Sequence, residues 1–227
     1  MTSSKILFVH GLASNYSNNW ERSGWPDAVG EMGYEAVGFA LPGHSGSTVE
    51  PGNDDDALAA LLDMARTHGI DTAVGFSAGS LMLLRSAVRE PSQFRNLALL
   101  GVGDGMWNDG SGLRAIADAF ESDGDIEDPA LAFMARTARA AGNDLGSIAK
   151  FVRAVPRQPD TGALGSIGAD VLVVLGERDG VGPATNLLSA LRSSTLVSLP
   201  GVDHFATSAD YRALNAVTGF VRSRAAV

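Results

Sequence analysis

At 227 residues the chain is long enough to bury a sizeable core in one α/β domain, and its formal net charge of −9 argues against the clustered cationic surface that nucleic acid requires. Cysteine is absent, which excludes disulfides and thiolate metal sites. No uninterrupted apolar run approaches a membrane span, and Ile6 to Val9 is too short for the apolar core of a signal peptide, so a soluble, cytoplasmic protein is expected.

Short, continuously apolar runs recur along the chain: Ile6 to Val9, Ala36 to Ala40, Thr72 to Phe76, Leu97 to Val102, Val171 to Leu175 and Thr195 to Leu199. Runs of this length suit strands buried on both faces. Between the second and third, Leu58, Leu61, Leu62 and Ala65 make an i, i+3, i+4, i+7 stripe, begun by Asp54 to Asp56 and closed by Gly69. The segment Leu81 to Val88 follows the third run, and Leu214, Val217 and Val221 form a terminal stripe. Alternating strands and helices predict a mostly parallel sheet of about six strands, flanked by helices, with ligands bound beyond the carboxyl ends of the strands.

The interval between Val102 and Val171 is too long for an ordinary connection. It carries three helical stripes, Leu113/Ile116/Ala117/Phe120, Leu131/Met134/Ala135/Ala138 and Leu145/Ile148/Ala149/Val152. The reading is a single domain, 1–227, with a small helical cap at about 105–165; plain scaffold helices are the alternative.

Gly75-Phe76-Ser77-Ala78-Gly79 sits between an apolar strand and an apolar helix. A serine in such a turn is lifted clear of the sheet, and glycines two residues before and after let strand and helix pack without a Cβ collision. Ser77 is therefore the candidate nucleophile. An alcohol needs a base to act at neutral pH, and the chain has four histidines. His204 follows the last strand run and precedes the terminal helix, at the same sheet edge as Ser77. Asp179, in Gly176-Glu177-Arg178-Asp179-Gly180, follows the preceding strand and is placed to orient the imidazole; a turn residue is the alternative. Asp104, in Gly103-Asp104-Gly105 after the fourth strand, is the competing carboxylate, or caps the first turn of the insertion.

The chain order Ser77, Asp179, His204, together with His10-Gly11 after the first strand and the Leu41-Pro42-Gly43-His44-Ser45-Gly46-Ser47 loop after the second, resembles the α/β-hydrolase superfamily over nearly the whole chain. The resemblance implies an α/β-hydrolase fold whose oxyanion donors are the backbone N–H groups of Leu12 and Ala78. It makes His10 a loop-shaping residue and His44 structural, while His68 belongs to a helix end. Only Met1 to Lys5 precede the first apolar run, so the family's two leading strands have no room. His10-Gly11-Leu12-Ala13 lacks the glycine run of hormone-sensitive-lipase-like esterases, and serine at the elbow disfavours the haloalkane dehalogenases.

The activity implied is cofactor-independent hydrolysis of a small carboxylic ester, lactone or thioester through an acyl-enzyme, with a small-molecule acyl substrate and no metal. Carbon–carbon bond hydrolysis, peroxide-using chemistry, acyl transfer and ligand reception with little turnover are the alternatives the same resemblance allows. Met106 and Trp107, after the fourth strand, and Phe133, off the main stripe of its helix, are candidates to line an apolar acyl pocket, or else belong to the core of the insertion. Asp203 stands where many relatives carry glycine before the histidine, adding charge near the imidazole or facing solvent.

Overall fold

The computed structural model describes residues 4–107, 110–122, 124–155 and 161–225. The six apolar runs become strands β1 (Ser4–Val9), β2 (Tyr34–Phe39), β3 (Thr72–Phe76), β4 (Asn96–Leu100), β5 (Asp170–Gly176) and β6 (Ser194–Leu199). They form one sheet in the order β2-β1-β3-β4-β5-β6, and every adjacent pair is parallel. The chain departs from β1 to one side for β2 and to the other for β3, so the crevice of an open α/β sheet falls beyond the carboxyl ends of β1 and β3.

Burial on both faces holds for the inner strands and fails at the edges. β3 is buried at every position, whereas β2 and β6, each with a neighbour on one side only, mix exposed and half-buried residues and bury fully only their last. The helices α1 (Trp25–Gly30), α2 (Asp54–Thr67) and α3 (Ala78–Arg89) precede the long insertion. In α2, Asn53 caps the amino end by accepting from the Asp55 N–H, and all four stripe residues are buried.

Between β4 and β5 lie a 3₁₀ turn (Asp104–Trp107), α4 (Ser111–Glu121), α5 (Pro129–Ala140), α6 (Leu145–Ala154) and the short α7 (Thr161–Leu164). The three stripes fall on α4, α5 and α6; positions 108–109, 123 and 156–160 of the expected insertion lie outside the described residues. The chain closes with α8 (Thr185–Ala190) and α9 (Tyr211–Ala225).

Two apolar clusters flank the sheet. On one face α2 and α3 pack with residues of α4 to α6, Phe151 and Ile148 among them. On the other, Trp25 meets Phe8 and Trp20 edge to face, and Phe8 and Trp20 meet at a tilt, beside Val217 and Val221 of α9. Among the described residues no helix is long and apolar enough to cross a membrane.

Candidate active site

The turn from β3 into α3 holds Ser77 at φ 52°, ψ −113°, a left-handed backbone that serine rarely adopts. The surroundings over-determine it. Its N–H donates to the Leu100 carbonyl at 2.9 Å, and the Ser80 hydroxyl donates to the same carbonyl at 2.9 Å. A Cβ on Gly75 would stand 2.7 Å from the Ser80 nitrogen, and one on Gly79 would stand 2.3 Å from the Val9 carbonyl oxygen. The two glycines are thus a steric requirement for bringing α3 against β1 and β3.

Gly176 ends β5 and residues Glu177 to Gly180 follow it, while Val202 to Phe205 follow β6. These loops approach backbone to backbone, because Gly176 has no Cβ to strike the Val202 carbonyl and the Arg178 N–H donates to that carbonyl at 2.9 Å. The side chains then fall in line. His204 Nδ1–H donates to Asp179 Oδ2 at 2.8 Å, and Ser77 Oγ–H donates to His204 Nε2 at 3.0 Å. The Asp179 carboxylate is fully covered, and its other oxygen accepts from the Val181 N–H at 3.0 Å. An ionised carboxylate only accepts, so it places the imidazole proton on Nδ1 and leaves Nε2 free to take a proton from the serine.

Asp104 is turned elsewhere. Its two oxygens accept from the N–H groups of Asn186 and Leu187, both at 3.0 Å, so it caps α8 rather than the insertion's first turn. Asp203 accepts from the Ala206 N–H at 3.0 Å and is exposed, which makes it a turn-stabilising residue.

The loop after β1 shows which amide is left for a ligand. The Gly11 N–H donates to Asn19 Oδ1 at 2.9 Å, and the Ala13 N–H donates to His44 Nε2 at 3.0 Å. The Leu12 N–H between them has no hydrogen-bond partner among the described residues. Neither has the N–H of Ala78, which opens α3 where the first amides lack intrahelical acceptors. Both residues line the cavity that holds Ser77 and His204.

Two buried histidines clasp this loop reciprocally. His10 Nε2 accepts from the Leu41 N–H at 3.1 Å while His44, from the second loop, accepts from Ala13; their rings meet edge to face at 5.1 Å. Each Nδ1–H donates to a backbone carbonyl, of Gly11 and Pro42 respectively. Burial, with the neighbouring His44 adding to it, pulls the His10 pKa down to about 3; burial pulls His44 down to about 4. Both stay neutral, as an acceptor nitrogen requires.

Asn19 escaped the sequence reading. Its side chain is buried on a single π-helical turn (Ser17–Glu21), and besides holding Gly11 its Nδ2 donates to Ser208 Oγ at 3.2 Å. It therefore links the loop after β1 to the segment following His204. Three asparagines, Asn15, Asn18 and Asn19, crowd that stretch; the available signal was that Asn19 directly precedes Trp20, whose ring is buried.

Above Ser77 lies a cavity of about 1100 Å³ whose far wall is built from α4, α5 and α6. Met106 and Phe133 line it. Trp107 does not: it packs beside Asn186 and Leu187 of α8 in a separate hollow. Met106 and Trp107 are consecutive in a 3₁₀ turn, where neighbouring side chains diverge by about a third of a turn, so one faces the cavity and the other leaves it. His68 is exposed at the carboxyl end of α2. Among the described residues no cluster of histidine and carboxylate side chains could hold a metal ion.

Residues 6–217 match the family model described as "Alpha/beta hydrolase family". The chain belongs to the alpha/beta hydrolase family. Solved structures agree on the fold at low identity. MenH from S. aureus superposes with a TM-score of 0.78 at 17% identity, covering 98% of this chain and 95% of its own. Rv0554 from Mycobacterium tuberculosis gives 0.76 at 18%, covering 100% and 91%. A serine hydrolase involved in carbazole degradation, the CarC enzyme, gives 0.72 at 20%, covering 97% and 92%. No curated protein matches the sequence.

Proposed function

We propose that this hydrolase cleaves a small carboxylic ester, lactone or thioester through an acyl-enzyme, with Ser77 as nucleophile, His204 as base and Asp179 as orienting acid. The observation that carries the reading is the hydrogen-bonded chain from Ser77 through His204 to Asp179, beside two amides that have no partner among the described residues. Ser77 Oγ attacks the carbonyl carbon as its proton passes to His204 Nε2, and the charge that develops on the carbonyl oxygen is taken by the N–H groups of Leu12 and Ala78. His204 then protonates the leaving alcohol or thiol. Water, deprotonated by the same nitrogen, attacks the acyl carbon and frees Ser77. The helices between β4 and β5 serve as a cap that keeps bulk water from the acyl-enzyme.

The test is labelling by a serine-directed ethyl phosphonate, read by intact mass, together with turnover of 4-nitrophenyl butyrate. One adduct on Ser77, and loss of both labelling and at least 10³-fold of turnover in Ser77→Ala, are expected. Modification of a different serine with full activity in the variant refutes the assignment.

A further inference from the structure

The walls of the cavity bear on what the substrate carries beyond the bond attacked. Most of the cavity's polar side chains are already engaged with the protein; the Ser14 hydroxyl, on the loop after β1, has no hydrogen-bond partner among the described residues. Asn19 is held by Gly11 and Ser208. Asp128 caps α5, accepting from the Ala130 and Leu131 N–H groups, and the Thr137 hydroxyl donates to the Phe133 carbonyl. The two cationic residues of the wall are engaged as well. Arg153 is bound by Glu121 and by Asp118, at 2.7 Å to the latter, and Arg114 also has a partner. Beyond Ser77, His204, Ser14 and the two unpartnered amides, all of them at the carboxyl end of the sheet, what the described wall offers is apolar: Leu113 and Ile116 of α4, Leu131 and Met134 of α5, Val152 of α6, and Leu81 below.

The mouth is framed by aromatic rings, with the exposed Arg136 guanidinium 5.9 Å from the Phe133 ring centre. Phe133 of α5 and Phe205, next to His204, meet edge to face with centroids 5.9 Å apart, yet remain 48% and 62% exposed. Two adjacent exposed aromatic rings at a cavity rim are disfavoured in water and favoured once an apolar ligand covers them. At about 1100 Å³ the space is at the upper end of what small-molecule ligands occupy, far more than an acetyl group fills.

Resting on the serine-hydrolase reading, we infer that the substrate carries a neutral aliphatic acyl chain of medium length, which enters between Phe133 and Phe205 and lies beneath α4 to α6. Affinity comes from burying methylenes. Beneath α4 to α6, a carboxylate at the distal end of the chain meets apolar side chains together with polar and cationic groups that are already engaged, so it must be desolvated without a free partner and is rejected.

The experiment is a series of 4-nitrophenyl esters from acetate to decanoate, kept below micelle-forming concentrations, with the 4-nitrophenyl monoester of octanedioic acid set against the octanoate. The inference expects kcat/KM to rise about fourfold per added methylene up to at least hexanoate, the fold-change equivalent to about 0.8 kcal/mol per buried methylene. It expects the ω-carboxylate to lower kcat/KM at least 30-fold. Leu113→Trp should move the optimum to shorter chains while leaving phosphonate labelling of Ser77 intact; if that variant does not fold, Met134→Phe makes the same test from α5. A flat or falling series, an ω-carboxylate accepted as well as the neutral chain, or an unmoved optimum in a folded, labelled variant overturns the inference and leaves the serine mechanism standing. Absence of any adduct on Ser77 in the parent protein removes the mechanism, and the inference falls with it.

Discussion

The floor of the cavity and its roof are built by different physics. The floor, made of the loops after β1, β3, β5 and β6, is held by directed polar bonds and by glycines whose replacement would drive a Cβ into backbone. The roof, α4 to α6, rests on apolar faces such as Phe120, Ile148 and Val152. Directed bonds fix atoms to tenths of an ångström, which chemistry needs, while apolar packing tolerates volume-conserving exchange. A change in the floor should therefore alter rate, and a change in the roof should alter which chain is accepted.

The comparison meets its severest test within the floor. Asp179→Asn should lower kcat by about 10⁴-fold with little change in melting temperature, because an amide cannot fix the imidazole tautomer. Asp104→Asn, which disturbs the cap of α8, should keep turnover within about threefold and lower stability by about 1 kcal/mol. Steady-state kinetics and melting curves on both variants decide the matter; the reverse ranking would move the acid to the end of β4.

A smaller effect is expected one step from the chemistry. Asn19→Ala removes the acceptor that holds the Gly11 N–H and the link to Ser208, and should lower kcat about 10- to 100-fold with KM changed less than threefold, since the Leu12 donor is then less well aimed at the transition state. A proportional rise in KM instead would make Asn19 a contributor to substrate binding.

The smallest effect is on stability. His10 and His44 titrate at about 3 and about 4 in the folded protein, below the ordinary histidine value of about 6.5. As pH falls, the unfolded chain takes up these protons first. Their contribution is therefore fully present above pH 6.5 and declines as pH drops toward 4. Denaturant unfolding between pH 7 and 4 should show this fall, and His44→Gln, which retains an acceptor without titrating, should make it shallower. An identical slope in the variant would show that other groups govern the acid limb.

The sheet was legible because inner strands demand unbroken apolar runs: Thr72 to Phe76 is β3 residue for residue. The edges were less so, since β2 begins with Tyr34 and the exposed Glu35, and β6 with Ser194, all outside the apolar runs. That Ser77, Asp179 and His204 come together was readable because each lies in the loop that follows a strand, in a stretch of marked composition. Asn19 and Trp107 were not, for one reason: where a side chain points depends on the phase of a single short turn, and five residues of π-helix or four of 3₁₀ leave no period in the sequence. The carboxylates Asp104 and Asp179 stand in similar glycine-flanked loops; the place after the fifth strand favoured Asp179, and in three dimensions Asp179 meets His204 while Asp104 meets the amides of α8.

The backbone at Ser77 also limits what this chain can become. With φ at 52°, a β-branched side chain at the elbow would collide with its own backbone, so threonine is barred although it too carries a hydroxyl. Cysteine and aspartate have no such branch. The evolutionary neighbours open to this fold in a single exchange at position 77 are therefore thiol and carboxylate chemistries, and the dihedral angle, rather than the reactivity of the alcohol, draws that boundary.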